Sequence, residues 1–158
     1  MIPSPKEVPT YDKKPEMSAK GVGEAVVRAI ESDRFDFVLV NFANPDMVGH
    51  TGVLDAAIAA VEAVDAQVGA IADAARKKGG ALLITADHGN CELMKDPATG
   101  EPHTAHTLNP VPLLYVNDAD KGAHVRDGGR ICDVAPTMLE LLGLPRPAAM
   151  SGVPLLSR

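Results

Sequence analysis

The chain has 158 residues, enough for one domain with its own hydrophobic core, so its size demands neither disulfide nor metal staples. With 46% hydrophobic, 23% charged and 3% aromatic residues and no Trp, it reads as a globular protein with an aliphatic core, which excludes disordered and fibrous classes. A net charge of -6 with dispersed basic residues argues against a nucleic-acid partner, and Cys91 and Cys132, far apart, fit free thiols in a reducing, cytoplasmic setting rather than a disulfide framework.

Residues 1–17 carry four prolines and no apolar periodicity, so they are expected to form an extended arm or linker. They lack the apolar centre of a signal peptide, and no uncharged apolar run along the chain is long enough to span a membrane. Ser18 is a good N-cap for a helix to about residue 33, with Val22, Ala25, Val26, Ala29 and Ile30 on one face. FDFVLVNFA (35–43) is apolar on both faces at its centre, as in a buried strand. Leu54, Ala57, Ile58, Val61, Val64, Val68, Ile71 and Ala75 recur at three and four, predicting a long amphipathic helix from Val53 to Lys78 closed by Gly79 and Gly80. GALLITADHGN (80–90) and VPLLYVND (111–118) give two further strands, and ICDVAPTMLELLGL (131–144) a helix with Asp133 near its N-cap, Pro136 in its first turn and Gly143 at its end. Strand, helix, strand predicts a right-handed crossover and parallel pairing of the first two strands, hence an α/β domain.

Ligands gather at the carboxyl ends of parallel strands. Asp46 and His50 follow the first expected strand, Asp87 and His88 follow the second, and HTAHT (103–107) precedes the third. Singly, each cluster has an ordinary explanation: Asp46 as a turn or helix cap, DHGN as a tight turn with Gly89 at positive φ, HTAHT as a solvated loop. Together they hold His50, His88, His103 and His106, four of the five histidines, each near an aspartate or another histidine. Imidazole and carboxylate donors without thiolate suit Zn, Mn, Fe or similar divalent ions, and the carboxylates weight the choice toward Mn or Mg-like ions. Two such ions can clamp the attacking and leaving oxygens of a phosphoryl displacement. Asp46, His50 and one histidine of HTAHT make a three-ligand site, whereas Asp87 and His88 supply only two ligands for a second ion. Thr51 and Thr85 flank these clusters but read as a helix-entry cap and a strand residue rather than nucleophiles.

NFANPDMVGHTG, LLITADHGNCELM, GEPHTAHTLNPVPLLYV and ICDVAPTMLELLGLPRPAAMSGVPLL closely resemble the C-terminal part of the cofactor-independent (2,3-bisphosphoglycerate-independent) phosphoglycerate mutases of the alkaline phosphatase superfamily. The resemblance runs from about Pro3 to the end. It implies a three-layer α/β/α alkaline-phosphatase-like domain, present as its C-terminal portion over residues 18–158, with the upstream strands and a substrate-binding domain absent. It implies a glycolytic isomerase that interconverts 3-phosphoglycerate and 2-phosphoglycerate through a phosphoserine, using two Mn²⁺ ions and no 2,3-bisphosphoglycerate. By the same resemblance Asp46, His50 and His106 hold one ion, with His106 rather than His103 because it directly precedes TLNPVP, and Asp87 and His88 hold the other. The nucleophilic serine and the groups that bind phosphoglycerate fall in family segments not found here. The isolated chain is therefore expected to be inactive and, with an uncovered sheet edge, to self-associate. The alternatives are another enzyme of the superfamily, such as a phosphopentomutase, phosphodiesterase or sulfatase, and a non-catalytic metal-binding module.

Overall fold

The computed structural model describes residues 2–157; Met1 and Arg158, the outermost residues of the expected arm and of the expected domain portion, lie outside the described residues. It is an α/β chain with helices α1 (Ala19–Glu31), α2 (Asn44–Gly49), α3 (Leu54–Lys77) and α4 (Val134–Leu141). Its strands are β1 (Leu82–Thr85), β2 (Leu113–Val116), β3 (His124–Val125) and β4 (Leu156–Ser157). Two compact units are present, one comprising the chain up to Ala74 together with His88–Val111, the other Ala75–Asp87 together with the chain from Pro112 onward.

The first unit is centred on α2 and the N-terminal half of α3. Val48 is fully buried against Ala56 and Ala60, and Tyr11 and Met17 pack onto this cluster. The segment read as an arm thus carries a 3₁₀ turn at Tyr11–Lys13 and contributes side chains to the core. Buried Asn44 ties it down by donating from Nδ2 to the Pro15 and Glu16 carbonyls, at 2.9 Å each. Ser18 stands at the N-cap of α1 without capping it; its hydroxyl donates to the Pro3 carbonyl at 2.6 Å instead.

α3 has the expected span, and Ala57, Ile71 and Ala75 of its expected face are buried, but in its first half the buried face is rotated from the one its large aliphatics predict. Ala56, Ala57, Ala60, Ile71, Ala74 and Ala75 are buried, while Leu54, Ile58 and Val61 are exposed. Alanines let the neighbouring backbone approach closely, so the small-residue face is the one this helix buries. At its end the Gly80 N–H reaches back to the Ala75 carbonyl at 2.8 Å, with Gly79 at φ +66°. This is the six-to-one closure that a left-handed glycine permits and a side chain would strain.

The second unit holds both sheets. β1 pairs antiparallel with β2, Leu82 opposite Val116 and Thr85 opposite Leu113, and β3 pairs antiparallel with β4. The expected parallel pairing is corrected here: no strand is assigned over residues 35–43, where Phe35, Phe37 and Leu39 are exposed. A strand exists only with a ladder partner, and the apolar pattern of this segment specifies a face without specifying a neighbour. Asp133 organises the C-terminal half of this unit. Its buried carboxylate accepts the N–H groups of Val153 (2.8 Å) and Arg130 (2.9 Å) and the Arg126 guanidinium (2.7 Å). It therefore braces loops on either side of α4 instead of capping the helix, whose far end closes at Gly143 through the Leu144 N–H to the Leu139 carbonyl.

Candidate metal centre

Asp46 and His50 come from α2, a six-residue helix where the sequence reading placed a loop. Pro45 at its start has no N–H to lose, and a carboxylate in the first turn meets the positive end of the helix. A four-residue spacing puts both side chains on one face, with His50 Nε2 3.1 Å from Asp46 Oδ1. Two loops of the same unit complete the group. His106 Nε2 lies 2.9 Å from Asp46 Oδ1 and 3.1 Å from His50 Nε2, and His88 Nε2 lies 3.9 Å from Asp46 Oδ1. The His88 and His106 rings stack with centroids 3.8 Å apart. Asp46, His88 and His106 each offer a donor atom within 4.8 Å of the others.

The donor chemistry fits a divalent cation. His50 Nδ1 is 2.6 Å from the Thr104 carbonyl, and the Nδ1–H that donates there leaves the Nε2 lone pair facing the cluster. His50 and His106 thus point ring nitrogens at each other and at a carboxylate, an arrangement that a cation shared among them satisfies. The Asp46 carboxyl is held below its ordinary value near 3.8: partial burial opposes this, but the hydrogen bonds from Asn90 and His106 and the proximity of His50 outweigh it. An open cleft of about 510 Å³ lined by Tyr11, Asp12, Met47, His50 and Thr51 borders the cluster.

Of the expected ligands, the structure brings together Asp46, His50, His88 and His106 within one unit. Asp87 belongs to the second unit, exposed and two residues beyond β1. His103 stands outside the group, its N–H bonded to the Met94 carbonyl at 3.0 Å. The Thr51 hydroxyl donates to the Val48 carbonyl at 2.6 Å and that of Thr85 to the Pro112 carbonyl at 2.8 Å. Gly89 is needed for room rather than for a positive φ: a Cβ there would lie 2.2 Å from Thr107 Oγ1 and 2.5 Å from Glu92 Oε1.

Sequence reasoning passed over Asn90 and Glu92. Asn90, itself buried, donates from Nδ2 to Asp46 Oδ1 at 3.0 Å, and Glu92 accepts the Asn90 N–H at 2.6 Å. The signal for them lay in the polar run from Asp87, which continues past His88. The Glu92 carboxyl is held down first by the Thr107 hydroxyl and then, against slight burial, by Asn109. Cys91 points its thiol at the Pro45 carbonyl, 2.7 Å away, and burial raises it, with Glu92 and Asp46 adding to the effect, so it is not a ready thiolate.

A histidine and carboxylate cluster set in an α/β chain is a candidate divalent-metal centre, and residues 1–146 match the Metalloenzyme superfamily, to which the chain belongs. More particularly, it is 61% identical over 152 residues to the 2,3-bisphosphoglycerate-independent phosphoglycerate mutase of Rhodopseudomonas palustris, covering 96% of this chain and 29% of the relative. It is 57% identical over 156 residues to the mutase of the same name from Rhodopirellula baltica, covering 99% and 29%. A crystal structure of Leishmania mexicana phosphoglycerate mutase at low cobalt concentration superposes with a TM-score of 0.87 at 33% identity, over 99% of this chain and 31% of that one. The α/β fold is therefore that of the alkaline-phosphatase-like part of such mutases, and the chain spans about 30% of the length of these relatives.

Proposed function

We propose that this chain is the metal-holding part of a cofactor-independent phosphoglycerate mutase, an enzyme that interconverts 3-phosphoglycerate and 2-phosphoglycerate through a phosphoserine. The observation that carries the reading is the convergence of the His50 and His106 imidazoles on the single oxygen Asp46 Oδ1, with the His88 ring stacked beside them. Asp46, His50 and His106 hold one Mn²⁺; Asp87 and His88 contribute to a second. When bound, the ions stabilise charge that develops on the phosphoryl oxygens and on the attacking and leaving groups.

This chain's residues supply placement. The Thr104 carbonyl fixes the His50 tautomer, Asn90 holds the Asp46 carboxylate in its orientation, and the His88–His106 stack keeps the two loops in contact. None of this supplies a nucleophile, and the hydroxyls of Thr51 and Thr85 are tied to carbonyls. The isolated chain accordingly binds metal without isomerising phosphoglycerate. Its free cysteines fit the cytoplasm, and its exposed apolar run at 35–39 supports self-association of the isolated chain.

The test pairs elemental analysis of the purified chain, loaded with Mn²⁺ and desalted, with an assay for 2-phosphoglycerate formed from 3-phosphoglycerate. Bound manganese without turnover is the expected result. A chain that retains no metal overturns the centre, and turnover by the chain alone overturns its division of labour. Pentose phosphates offered to an enzyme that contains this chain as one part, and turned over in preference to phosphoglycerates, would replace the substrate assignment.

A further inference from the structure

The metal ligands of the first unit come from a short helix and two loops, and loops are held in place only by what ties them. One side chain outside the metal-holding group ties both. Glu92 Oε2 accepts the Asn90 backbone N–H at 2.6 Å, on the loop that carries His88. Glu92 Oε1 accepts the Thr107 hydroxyl and, at 2.9 Å, Asn109 Nδ2, both on the loop that carries His106. Asn109 in turn donates its own N–H to Thr107 Oγ1 at 3.3 Å.

These bonds close around a backbone link. The Thr107 N–H donates to the Gly89 carbonyl at 3.0 Å in an isolated antiparallel bridge, flanked by His88 on one side and His106 on the other. The bare Gly89 leaves the space that the Glu92 carboxylate and the Thr107 hydroxyl fill. On the far side, Asn90 carries the constraint onward to Asp46 Oδ1 at 3.0 Å. One carboxylate therefore sets the positions of Asp46, His88 and His106 while its own oxygens are occupied by three donors.

We propose that Glu92 is a positioning residue for the metal centre, acting through the Thr107 hydroxyl on His106 and through Asn90 on Asp46. The inference rests on the reading of that cluster as a divalent-cation site. Outer partners of this kind, which orient ligands without touching the ion, change metal affinity by about 10- to 100-fold when removed. An ordinary surface glutamate would change it by nothing.

The experiment is a calorimetric titration of Mn²⁺ into the chain and into Glu92→Ala, Thr107→Val and Thr107→Ser, with the metal-free thermal midpoint of each read alongside. Glu92→Ala and Thr107→Val are expected to bind Mn²⁺ at least about tenfold more weakly, while Thr107→Ser, which keeps the hydroxyl, binds as the parent does. The metal-free midpoints should stay close together, because Glu92 and Asn109 are exposed and the substituted Thr107 is only half-buried. Equal affinity across the set overturns the inference while leaving the metal centre standing. An affinity loss that Thr107→Ser shares, in step with a lowered midpoint, overturns it as well. A parent chain that binds no Mn²⁺ overturns the centre itself and the role of Glu92 with it. Should Glu92→Ala not fold, the Thr107 pair decides the question alone.

Discussion

Val48 lies between Asp46 and His50 in the chain and is fully buried, so Val48→Ala tests whether the core beneath the site is as close-packed as it looks. Removing its two methyls forfeits about 1.6 kcal/mol of transfer free energy, at about 0.8 kcal/mol per group. The walls are α3 backbone with Ala56 and Ala60, which have little side chain to collapse into the gap, and the side chains of Tyr11 and Met17. A residual cavity of roughly 50 Å³ adds about 1 kcal/mol at about 24 cal/mol per Å³. The expected loss is about 2–3 kcal/mol, or a midpoint lowered by roughly 4–12 °C for a chain of this length. Urea and thermal unfolding in chelator-treated buffer, followed by far-UV circular dichroism and by tyrosine fluorescence, read the change, since Tyr11 packs on the altered site. Val61→Ala in α3 is the control: its side chain is 46% exposed, and a surface Val to Ala change in a helix should stay within about 0.5 kcal/mol. Equal effects from the two substitutions would refute the packing argument.

Three further outcomes follow from the same structure. His106→Ala should abolish tight Mn²⁺ binding in a calorimetric titration whereas His103→Ala should leave it near the parent value, because only His106 stands in the donor group. Thr137→Val should destabilise the chain by about 1–3 kcal/mol in denaturant unfolding: the fully buried Thr137 hydroxyl accepts the Leu155 N–H at 2.9 Å, and valine strands that donor. The Asp133 carboxyl is held below its usual 3.8, first by the Val153 N–H, then by the Arg130 N–H against some burial, and by the Arg126 guanidinium. Its stabilising contribution is therefore fully present above that usual value and is lost as pH falls through the lower folded value. Asp133→Asn should flatten the unfolding free energy of the chain as pH falls below about 5, relative to the parent.

Local pattern was legible wherever the deciding physics was local. The periodicity of α3, the glycine pair that closes it, the start of α4 with Pro136 in its first turn, and the apolar runs of β1 and β2 all lie in the expected places. What failed required a partner. The run at 35–43 has strand composition, yet strand assignment depends on a neighbouring ladder, and the direction of β1 pairing was likewise set by residues some thirty positions away. α2 escaped notice because six residues containing Pro45 and Gly49 are too few for a helical period to show. Of the expected face of α3, Ala57, Ile71 and Ala75 are buried, but Leu54, Ile58 and Val61 in its first half are exposed, because Val48 fits there against alanines. At the site, the clustering of four of the five histidines in three short stretches pointed to those loops, while the choice of His106 over His103 came from the family resemblance. Asn90 and Glu92 were invisible by the same logic, because an Asn and a Glu in a polar loop acquire meaning only from the donors and acceptors that tertiary structure brings to them.

The burial pattern of α2 also explains how so short a helix can present Asp46 and His50 with fixed geometry. Isolated helices of this length do not persist in water. Here Asn44 is bonded at one end to the Pro15 and Glu16 carbonyls, Val48 is sunk into the core in the middle, and the Thr51 hydroxyl closes onto the Val48 carbonyl at the other end. Asp46 and His50, on the intervening positions, are therefore aimed by groups that do not themselves ligate. Asn90 and the Thr104 carbonyl then fix what remains free, the carboxylate rotation and the imidazole tautomer. Asp46 and the three imidazoles crowd into a small volume, held there by the packing beneath them and by bonds to groups outside the cluster. Because the core beneath α2 holds both the fold and the cluster, stability and metal affinity should both respond at Val48, while only affinity should respond at Glu92.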